Sequence, residues 1–312
     1  MNAPSTSKHG GYHIDHLLGG LSGGFVSTIF VHPFDFLKIR FQVNEGTTTA
    51  ARQLHRPQYR GYTHAISAIL RSQGVRGLYQ GATPNLLGTT AAWGLYFQFY
   101  NVLKAKMRSH ADEDLSAAHH MLAGMAAGSS TLTLTNPLWV VKTRLCLQYE
   151  TETRQYRGMM DCLVQIYRNE GIRGYYKGYL PGLIGTTHGA VQFVLYDALK
   201  YQFCKRRGIS TKDRLDTGHY LTMAAISKVI AVSATYPYQV IRSRLQDQHV
   251  QYKGVIDCVS KTYRVEGILG FYKGILAGIA RVTPATCITF VVYEHVVHLA
   301  LASWMESFFS AS

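Results

Sequence analysis

Long stretches without a charged side chain alternate with basic segments along this chain. Residues 16–34, 77–103, 115–141 and 178–196 contain no Asp, Glu, Lys or Arg. A membrane-spanning helix needs about 20 mainly apolar residues. Gly, Ser, Thr and Tyr dilute these stretches, which suits helices that surround a wet interior and meet lipid on one face only. We therefore predict membrane helices rather than the buried core helices of a soluble protein.

An internal repeat organises these stretches. A pattern that runs from a proline to a basic residue occurs three times, about 100 residues apart, as PFDFLKIR from Pro33, PLWVVKTR from Pro137 and PYQVIRSR from Pro237. A glycine-rich pattern follows each copy, as QGVRGLYQG from Gln73, EGIRGYYKG from Glu170 and EGILGFYKG from Glu266. Two independent motifs that keep one period indicate a triplicated chain.

Each repeat has the same predicted plan of three helices. The first helix covers 14–43, 117–148 and 217–247, a short amphipathic helix covers 59–73, 157–170 and 253–266, and the second long helix covers 82–108, 179–205 and 275–305. A proline inside a helix removes a backbone hydrogen bond and bends the helix, so kinks are expected at Pro33, Pro137 and Pro237. The predicted domains are an N-terminal tail 1–13, repeats 14–110, 111–210 and 211–305, and a C-terminal tail 306–312.

Composition changes this picture little. The mean hydropathy of −0.03 is that of a soluble protein, but the charge-free stretches are the better guide. The formal charge of +14 is dispersed along the chain, and no nucleic-acid motif accompanies it. The five cysteines have no close pairing, which predicts neither a disulfide framework nor a metal site. With no phosphate loop and no nucleophile–base pair, we predict no enzyme activity and no cofactor.

The proline pattern resembles the signature of the mitochondrial carrier family, Pro-x-acid-x-x-base-x-base, over about residues 14–305. The resemblance implies an all-α fold of six transmembrane helices in three tandem pseudo-symmetric repeats, each with a short matrix helix, forming a kinked-helix basket. It also implies a monomeric, multi-pass solute carrier of the mitochondrial inner membrane, working by alternating access and contacting lipid such as cardiolipin. Because the N-terminal dozen residues are too short for a transit peptide, targeting would use internal signals.

The family pattern predicts a matrix gate on the proline motifs. There the acid and the first base of each motif form ion pairs between neighbouring helices. Only one acid position holds an acid here, so at most one ion pair can form. The acid positions hold Asp35, Trp139 and Gln239, the base positions hold Lys38, Lys142 and Arg242, and the bracing glutamines are Gln42 and Gln246.

A cytoplasmic gate is predicted from a second family pattern, aromatic-acid-x-x-base, on the second long helices. Its positions hold Asn101 and Lys104, Asp197 and Lys200, and Glu294 without a base. Pairing around the ring in one direction gives only Glu294 with Lys104. The other direction gives Asp197 with Lys104 and Glu294 with Lys200, and we favour it because it forms two pairs.

Two cations inside otherwise uncharged spans are candidate substrate contacts, since such residues normally face a bundle interior or a wet cavity. Lys228 lies eleven residues before Gln239, about 20° away on an ideal helix. Arg281 lies thirteen residues before Glu294, where family members commonly place a substrate-contacting arginine. The equivalent positions in the other repeats are Gly88 and Ile184, with Gly185 next to it, and the small residues there leave room for a bulky group. The further candidates are Gly88, Gly185, His188, Trp93 and Tyr96.

The stretches from Tyr236 to Gln248 and from Gly185 to Gln192 resemble carriers of folate and FAD within the family. Both substrates are bulky, anionic and flat-ringed. The resemblance therefore predicts transport of FAD, folate (tetrahydrofolate) or both between cytosol and matrix. Alternatives are a carrier of NAD or pyrimidine nucleotides and, in a different class, a membrane-peripheral helical enzyme. No nucleic-acid partner is expected. The choice between FAD and folate, between uniport and exchange, and the direction of net transport stay open.

Overall fold

The computed structural model describes residues 8–44, 57, 59–108, 116–149, 155–208 and 216–281, and isolated positions from 284 to 295. Every regular element within these ranges is helical, and they contain no strand. The predicted all-α class is confirmed. No helix in the same ranges is both long enough and apolar enough to cross a membrane.

The helices follow the three predicted repeats. The first repeat contains α1 (Lys8–Val43), α2 (Tyr62–Gly77) and α3 (Ala82–Arg108). The second contains α4 (Ala117–Cys146), α5 (Met159–Tyr175), α6 (Tyr179–Gly185) and α7 (His188–Arg207). The third contains α8 (Thr217–Gln246), α9 (Val255–Glu266), a 3-10 turn (Ile268–Tyr272) and helical residues from 275 onward. Pro33, Pro137 and Pro237 each lie inside their long helix.

The second long helix of the middle repeat contains an irregular turn, whereas we predicted one regular helix over 179–205. Helix α6 ends at Gly185 and α7 begins at His188, while Thr186 and Thr187 keep right-handed helical backbone angles and their amides bond to carbonyls three residues earlier. The hydroxyl of Thr186 donates to the carbonyl of Leu183 at 2.8 Å, and that of Thr187 donates to Ile184 at 2.7 Å. Threonine side chains that bond nearby carbonyls compete with the helical ladder, so this pair of threonines accounts for the irregular turn.

The glycine-rich motif marks the end of the regular short helix in each repeat. Gly74 and Gly171 have non-helical backbone angles, with φ of 66° and 65°, so α2 and α5 are kinked there. In the third repeat Gly267 has φ 65° and separates α9 from the 3-10 turn. Because L side chains rarely adopt this positive φ, the second residue of each motif has to be glycine.

Two compact units form, residues 1–35 with 276–312 and residues 36–275. In the larger unit the apolar cores lie where the short helices pack on the ends of the long ones, beyond the prolines. One core joins Phe36, Ile69 and Leu147, and a second joins Val140 and Ile166. A third is formed by Val232, Tyr236 and Val240, with Tyr272 and Ile275 packed against it. In the smaller unit Ser27 donates a hydrogen bond to the carbonyl of Ala285 at 3.0 Å.

Candidate functional site

The last arginine of each proline motif is buried, with a relative exposure of at most 2% at Arg40, Arg144 and Arg244. Arg144 pairs with Glu170 at 2.7 Å and Arg244 pairs with Glu266 at 2.9 Å. A lysine completes each set, Lys177 at 2.7 Å from Glu170 and Lys273 at 2.8 Å from Glu266. We call each set an arginine–glutamate–lysine triad. Both triads tie a proline motif to the glycine-rich motif of its own repeat.

The first repeat has no such triad because Gln73 stands where the other repeats have glutamate. Arg40 instead donates to the hydroxyl of Tyr59 at 2.6 Å. It also donates to the carbonyls of Cys146 at 3.1 Å and Gln148 at 2.7 Å. Those two carbonyls belong to the second repeat, so Arg40 links the ends of α1 and α4 through neutral acceptors.

The triads perturb the carboxyl group that they contain. Burial opposes ionisation of Glu170, but hydrogen bonds and charges from Arg144 and Lys177 outweigh it and hold its pKa below the ordinary value. Glu170 is therefore a carboxylate at neutral pH, and the buried guanidinium beside it is compensated.

A glycine of each repeat packs against the backbone of the next repeat. A Cβ atom on Gly81, Gly178 or Gly274 would lie 2.9 Å from a carbonyl oxygen of the following repeat's proline motif. Those oxygens belong to the first bases, Lys142, Arg242 and Lys38 in that order. Only glycine permits this approach, because a side chain at that position would overlap the oxygen. The contacts run from the first repeat to the second, to the third and back to the first.

The predicted matrix-gate bases have neutral partners in the larger unit. Lys38 donates to the amide oxygen of Gln239 at 2.6 Å. Arg242 donates to Asn136 Oδ1 at 3.3 Å. The ammonium of Lys142 lies 5.4 Å from the ring centre of Trp139, within cation–π range. Gln239 and Trp139, which occupy two of the acid positions, thus contact bases of the motif. Gln239 accepts a hydrogen bond from Lys38, and the ring of Trp139 lies near the ammonium of Lys142.

The two bracing glutamines each join two repeats. Gln42 donates to the hydroxyl of Tyr236 at 3.1 Å and accepts from Ser243 at 2.7 Å. Gln246 accepts from Thr143 at 2.7 Å and donates to the carbonyl of Lys177 at 3.4 Å. We did not predict the partner side chains Asn136, Tyr236, Thr143 and Ser243. The sequence contains a signal for them. Each repeat has a polar residue directly before its proline. The second and third repeats also have a hydroxyl residue between their two bases, where the first repeat has Ile39.

In the smaller unit the arginine that we predicted to contact substrate is paired with the acid that we predicted for the matrix gate. Arg281 forms an ion pair with Asp35. The carboxylate side chain is 10% exposed and the guanidinium side chain 42% exposed. Arg281 can therefore be reached from outside while Asp35 is covered. The sequence assigned the two residues to different tasks, and the structure brings them into contact.

A polar cluster lies between α7 and α8 in the larger unit. Lys228 is half-buried, and its ammonium donates to the amide oxygen of Gln192 at 3.0 Å. One turn earlier on α7, His188 Nδ1 lies 2.9 Å from the hydroxyl of Thr235. The predicted contacts Lys228 and His188 are thus held on one interhelical seam, together with Gln192, which we did not predict as a site residue.

Gly88 and Gly185 lie against side chains that follow the prolines on α4 and α8. A Cβ atom on Gly88 would lie 3.5 Å from Leu138 and 3.7 Å from the ring of Trp139, which are ordinary contact distances. A Cβ atom on Gly185 would lie 2.7 Å from the ring of Tyr238, so this glycine permits close packing. The room for a bulky group at Gly88 stays a prediction.

The described residues of the predicted cytoplasmic gate do not form the ion pair that we favoured. Lys104 and Asp197 form no ion pair with each other within the described ranges. Lys200 lies 5.7 Å from the ring centre of Tyr220. Asn101 is exposed on α3, and Glu294 lies outside the described residues. The direction of pairing stays a prediction.

Trp93 and Tyr96 belong to a row of aromatic side chains on α3. The ring centroid of Trp93 lies 6.4 Å from that of Tyr96 and 5.8 Å from that of Phe97. Trp93 is 60% exposed and Phe97 55% exposed. These two rings present flat faces that the described part of the chain leaves largely uncovered.

Comparison with known proteins agrees with this threefold geometry. The family described as "Mitochondrial carrier protein" matches residues 11–111, 113–207 and 213–303. The chain belongs to the mitochondrial carrier family. Carriers of this family are transporters, and this chain is therefore a solute transporter with three carrier repeats and not an enzyme.

Three relatives illustrate the solutes that similar carriers move. The chain is 39% identical over 297 residues to chloroplastic folate transporter 1 of Arabidopsis thaliana, which covers 91% of this chain and 95% of the relative. It is 38% identical over 282 residues to mitochondrial nicotinamide adenine dinucleotide transporter 2 of the same plant, covering 88% and 76%. It is 32% identical over 304 residues to a mitochondrial FAD carrier protein of Saccharomyces cerevisiae, covering 90% and 96%.

Proposed function

We propose that this carrier moves FAD, tetrahydrofolate or both between cytosol and matrix by alternating access. The observation that carries the proposal is a pair of cations held by polar partners in segments without other charges. Arg281 is paired with Asp35, and Lys228 with the neutral amide of Gln192. An anionic group of a substrate can compete for Lys228, whose partner is uncharged, and for Arg281, whose side chain is 42% exposed.

The choice of substrate rests on the relatives and on the aromatic surface. Folate, NAD and FAD are named for relatives that are 32% to 39% identical. All three compounds join a planar heteroaromatic ring to anionic groups, and α3 exposes Trp93 and Phe97. We favour FAD and tetrahydrofolate because the Tyr236–Gln248 and Gly185–Gln192 stretches resemble their carriers. NAD or a pyrimidine nucleotide is the second candidate, which the 38% identical dinucleotide transporter supports.

The mitochondrial inner membrane is the proposed location, although the relatives include chloroplastic and mitochondrial carriers. In this proposal α1, α3, α4, α6 with α7, α8 and the second long helix predicted over 275–305 cross the membrane together, with their polar faces turned to a wet interior, which is why no single one of them is apolar throughout. The triads and short helices then lie on the matrix side, where a lipid such as cardiolipin would contact them. The carrier is proposed to act as a monomer because one chain contains all three copies of each gate motif.

Alternating access follows from the unequal state of the two gates. The matrix-gate bases Lys38, Lys142 and Arg242 have neighbours at 2.6 to 5.4 Å. On the other side Lys104 and Asp197 are not paired with each other. We infer a matrix-closed conformation, in which substrate enters from the cytoplasmic side. Forming the cytoplasmic pairs while breaking the matrix contacts would then release it into the matrix.

Ligand-dependent thermal stability tests the substrate class. A ligand that binds only the folded protein stabilises it by RT ln(1 + [L]/Kd), about 2.7 kcal/mol at a hundredfold excess over Kd. We expect FAD or tetrahydrofolate to raise the melting temperature of the purified carrier most. Uncharged riboflavin, which lacks the phosphates, should raise it less. A larger shift with NAD or UTP would favour the second candidate, and no shift with any of the four anions would count against the proposal.

A further inference from the structure

A cavity of about 790 Å³ lies between α3, α4 and α7, and none of the described residues that line it is Asp, Glu, Lys or Arg. Helix α4 is in the middle, so the cavity is bounded by three successive long helices of the larger unit. Its walls include Trp93, Tyr96, Tyr100, Gly128, Thr131 and Phe193. Trp93 and Tyr96 were predicted as substrate contacts. The residues of the polar cluster and the described residues of the two gates do not line this cavity.

The shape of the cavity suits a flat ring. Helix α3 supplies aromatic faces, where Tyr96 stacks on Tyr100 with centroids 6.2 Å apart and planes 12° apart. Phe193 faces the cavity from α7 and is 62% exposed. Helix α4 contributes Met121, Met125, Gly124 and Gly128, and a Cβ atom on these glycines would lie 3.3 Å from Tyr96 and 3.4 Å from Thr186, so this wall is closely packed. Planar rings gain most from offset or edge contacts with such aromatic walls.

Polar groups at the two ends distinguish a heteroaromatic ring from a lipid chain. The hydroxyl of Thr131 is buried, and the part of the chain that the structure describes offers it no hydrogen-bond partner. At the other end the hydroxyl of Tyr100 lies 2.8 Å from His120 Nδ1. A buried hydroxyl without a partner costs free energy. Once the Thr131 side chain turns toward the cavity, a ring nitrogen or carbonyl of a ligand would satisfy it, whereas an acyl chain would not.

Helix α7 connects this cavity to a cation. Gly189 and Phe193 line the cavity, while Gln192 accepts a hydrogen bond from Lys228. Residues at i and i+3 or i+4 lie on neighbouring parts of a helix surface. An apolar ring site and a cationic site therefore adjoin along one helix, which matches a ligand with a flat ring and an anionic tail.

We propose that this cavity binds the planar heteroaromatic ring of the transported solute, with the anionic part directed to Lys228. The inference rests on the proposed function and adds the orientation of the substrate to it. Thr131 then acts as a specificity residue that hydrogen-bonds the ring edge. Phe193 and the aromatic side chains of α3 stack on the ring, and Gly189 leaves space for the ring beside α7.

Two glycines provide a matched test. A Cβ atom on Gly189 or on Gly94 would meet nothing within 4 Å, but only Gly189 lines the cavity. Gly189→Leu therefore fills the cavity without a clash, and Gly94→Leu adds the same side chain elsewhere. Binding of lumiflavin and of pterin to the full chain in lipid nanodiscs is measured by quenching of ring fluorescence. Uptake of FAD, tetrahydrofolate, NAD and UTP is measured separately in liposomes.

The inference predicts that Gly189→Leu weakens lumiflavin or pterin binding by about tenfold or more, the scale of a lost stacking contact. Gly94→Leu should bind like wild type, and Thr131→Val should bind several-fold more weakly. Equal binding by Gly189→Leu, or no ring binding by wild type, would overturn the ring site. So would loss of retained phospholipid from Gly189→Leu without loss of ring binding, since the cavity would then hold an acyl chain. Ring binding without uptake of any of the four anions would instead overturn the proposed function.

Discussion

In the proposed mechanism Arg281 has two competing partners, the carboxylate of Asp35 and an anionic group of the substrate. Asp35 is the one acid among the three acid positions of the proline motifs, and its carboxylate is largely covered. The more exposed Arg281 can leave it for an anionic substrate. Substrate binding would then break the ion pair between Arg281 and Asp35 and weaken an interaction of the matrix-closed state.

Replacing Arg281 tests this role directly. Arg281→Ala removes the substrate cation and leaves Asp35 without its guanidinium, so uptake should be nearly abolished while membrane insertion is retained. The measurement is the initial rate of uptake into liposomes, with protein content determined by quantitative blotting. The control is Arg168→Ala, an exposed arginine on α5, which should transport normally. Wild-type uptake by Arg281→Ala would remove Arg281 from the substrate site.

Trp139 is the second residue whose chemistry departs from the family pattern. Its ring lies near the Lys142 ammonium, and its Nε1 donates to Thr135 at 3.2 Å. Trp139→Asp would allow an ion pair with a neighbouring base. That pair should deepen the matrix-closed state by about 1 kcal/mol, a several-fold shift in population. The variant should insert correctly, melt at a higher temperature and transport more slowly.

Trp139→Ala should have the opposite effect on stability. It removes the ring beside Lys142 and leaves a gap next to Gly88, so closure should loosen and the melting temperature should fall. Thermal unfolding and uptake rates of both variants provide the check. If both variants melt and transport like wild type, Trp139 has no part in the gate and only anchors the helix at the membrane interface.

At the scale of elements, the triads attach each short helix to the helix that contains the proline. Glu170 accepts from Arg144, which is 2% exposed, and from Lys177. Removing one partner of a buried ion pair leaves the other charge uncompensated and costs about 3 kcal/mol. The triad is therefore expected to stabilise the folded carrier measurably at neutral pH.

The pH dependence of the variant Glu170→Gln tests that expectation. The pKa of Glu170 is lower in the folded state than its ordinary value of about 4.3. Its stabilisation is then fully present above that value and is lost as the pH falls through the folded pKa. Wild type should melt above Glu170→Gln at pH 7, and the difference should shrink as the medium becomes acidic. Gln73→Ala, at the uncharged equivalent position, should show a pH-independent difference, and a constant difference for Glu170→Gln would contradict the triad.

The helices were largely predictable because the repeat fixes their order and the charge-free stretches fix their extent. The irregular turn at Thr186 and Thr187 was not, because it depends on side-chain bonds to local carbonyls. The gate positions could be assigned from the motif, and Lys38 does contact an acid-position residue, Gln239. Arg242 instead contacts Asn136 across 106 residues, and no local pattern specifies such a contact. The ring of Tyr238 beside Gly185 could not be predicted, because a sequence does not tell which neighbour fills a glycine's missing side chain.

At the scale of the whole molecule, transport requires two states of similar energy. Gln239 and Trp139 at two of the three acid positions leave few possible ion pairs for the matrix gate, so we expect a shallow matrix-closed state, since exposed pairs contribute up to about 1 kcal/mol. The cytoplasmic gate should then be comparably weak, because a deep second state would trap the carrier. The two predicted ion pairs, Asp197 with Lys104 and Glu294 with Lys200, would satisfy this requirement.

A charge swap tests the direction of that ring. Asp197→Lys and Lys104→Asp should each slow uptake, and the double variant should recover more transport than either single change because it restores the pair. The comparison is made on uptake rates at equal protein incorporation. Rescue by a swap of Glu294 with Lys104, in place of this pair, would mean that the ring runs the other way.

Uptake by the purified carrier tests the central claim most directly. Liposomes containing the wild-type protein are supplied in parallel with labelled FAD, tetrahydrofolate, NAD and UTP, and protein-free liposomes give the background. The account predicts saturable uptake of FAD, tetrahydrofolate or both, faster than that of NAD or UTP. Uptake of NAD or UTP alone would contradict the substrate, and background rates for all four anions from correctly inserted, thermally stable protein would contradict the carrier mechanism proposed for this chain.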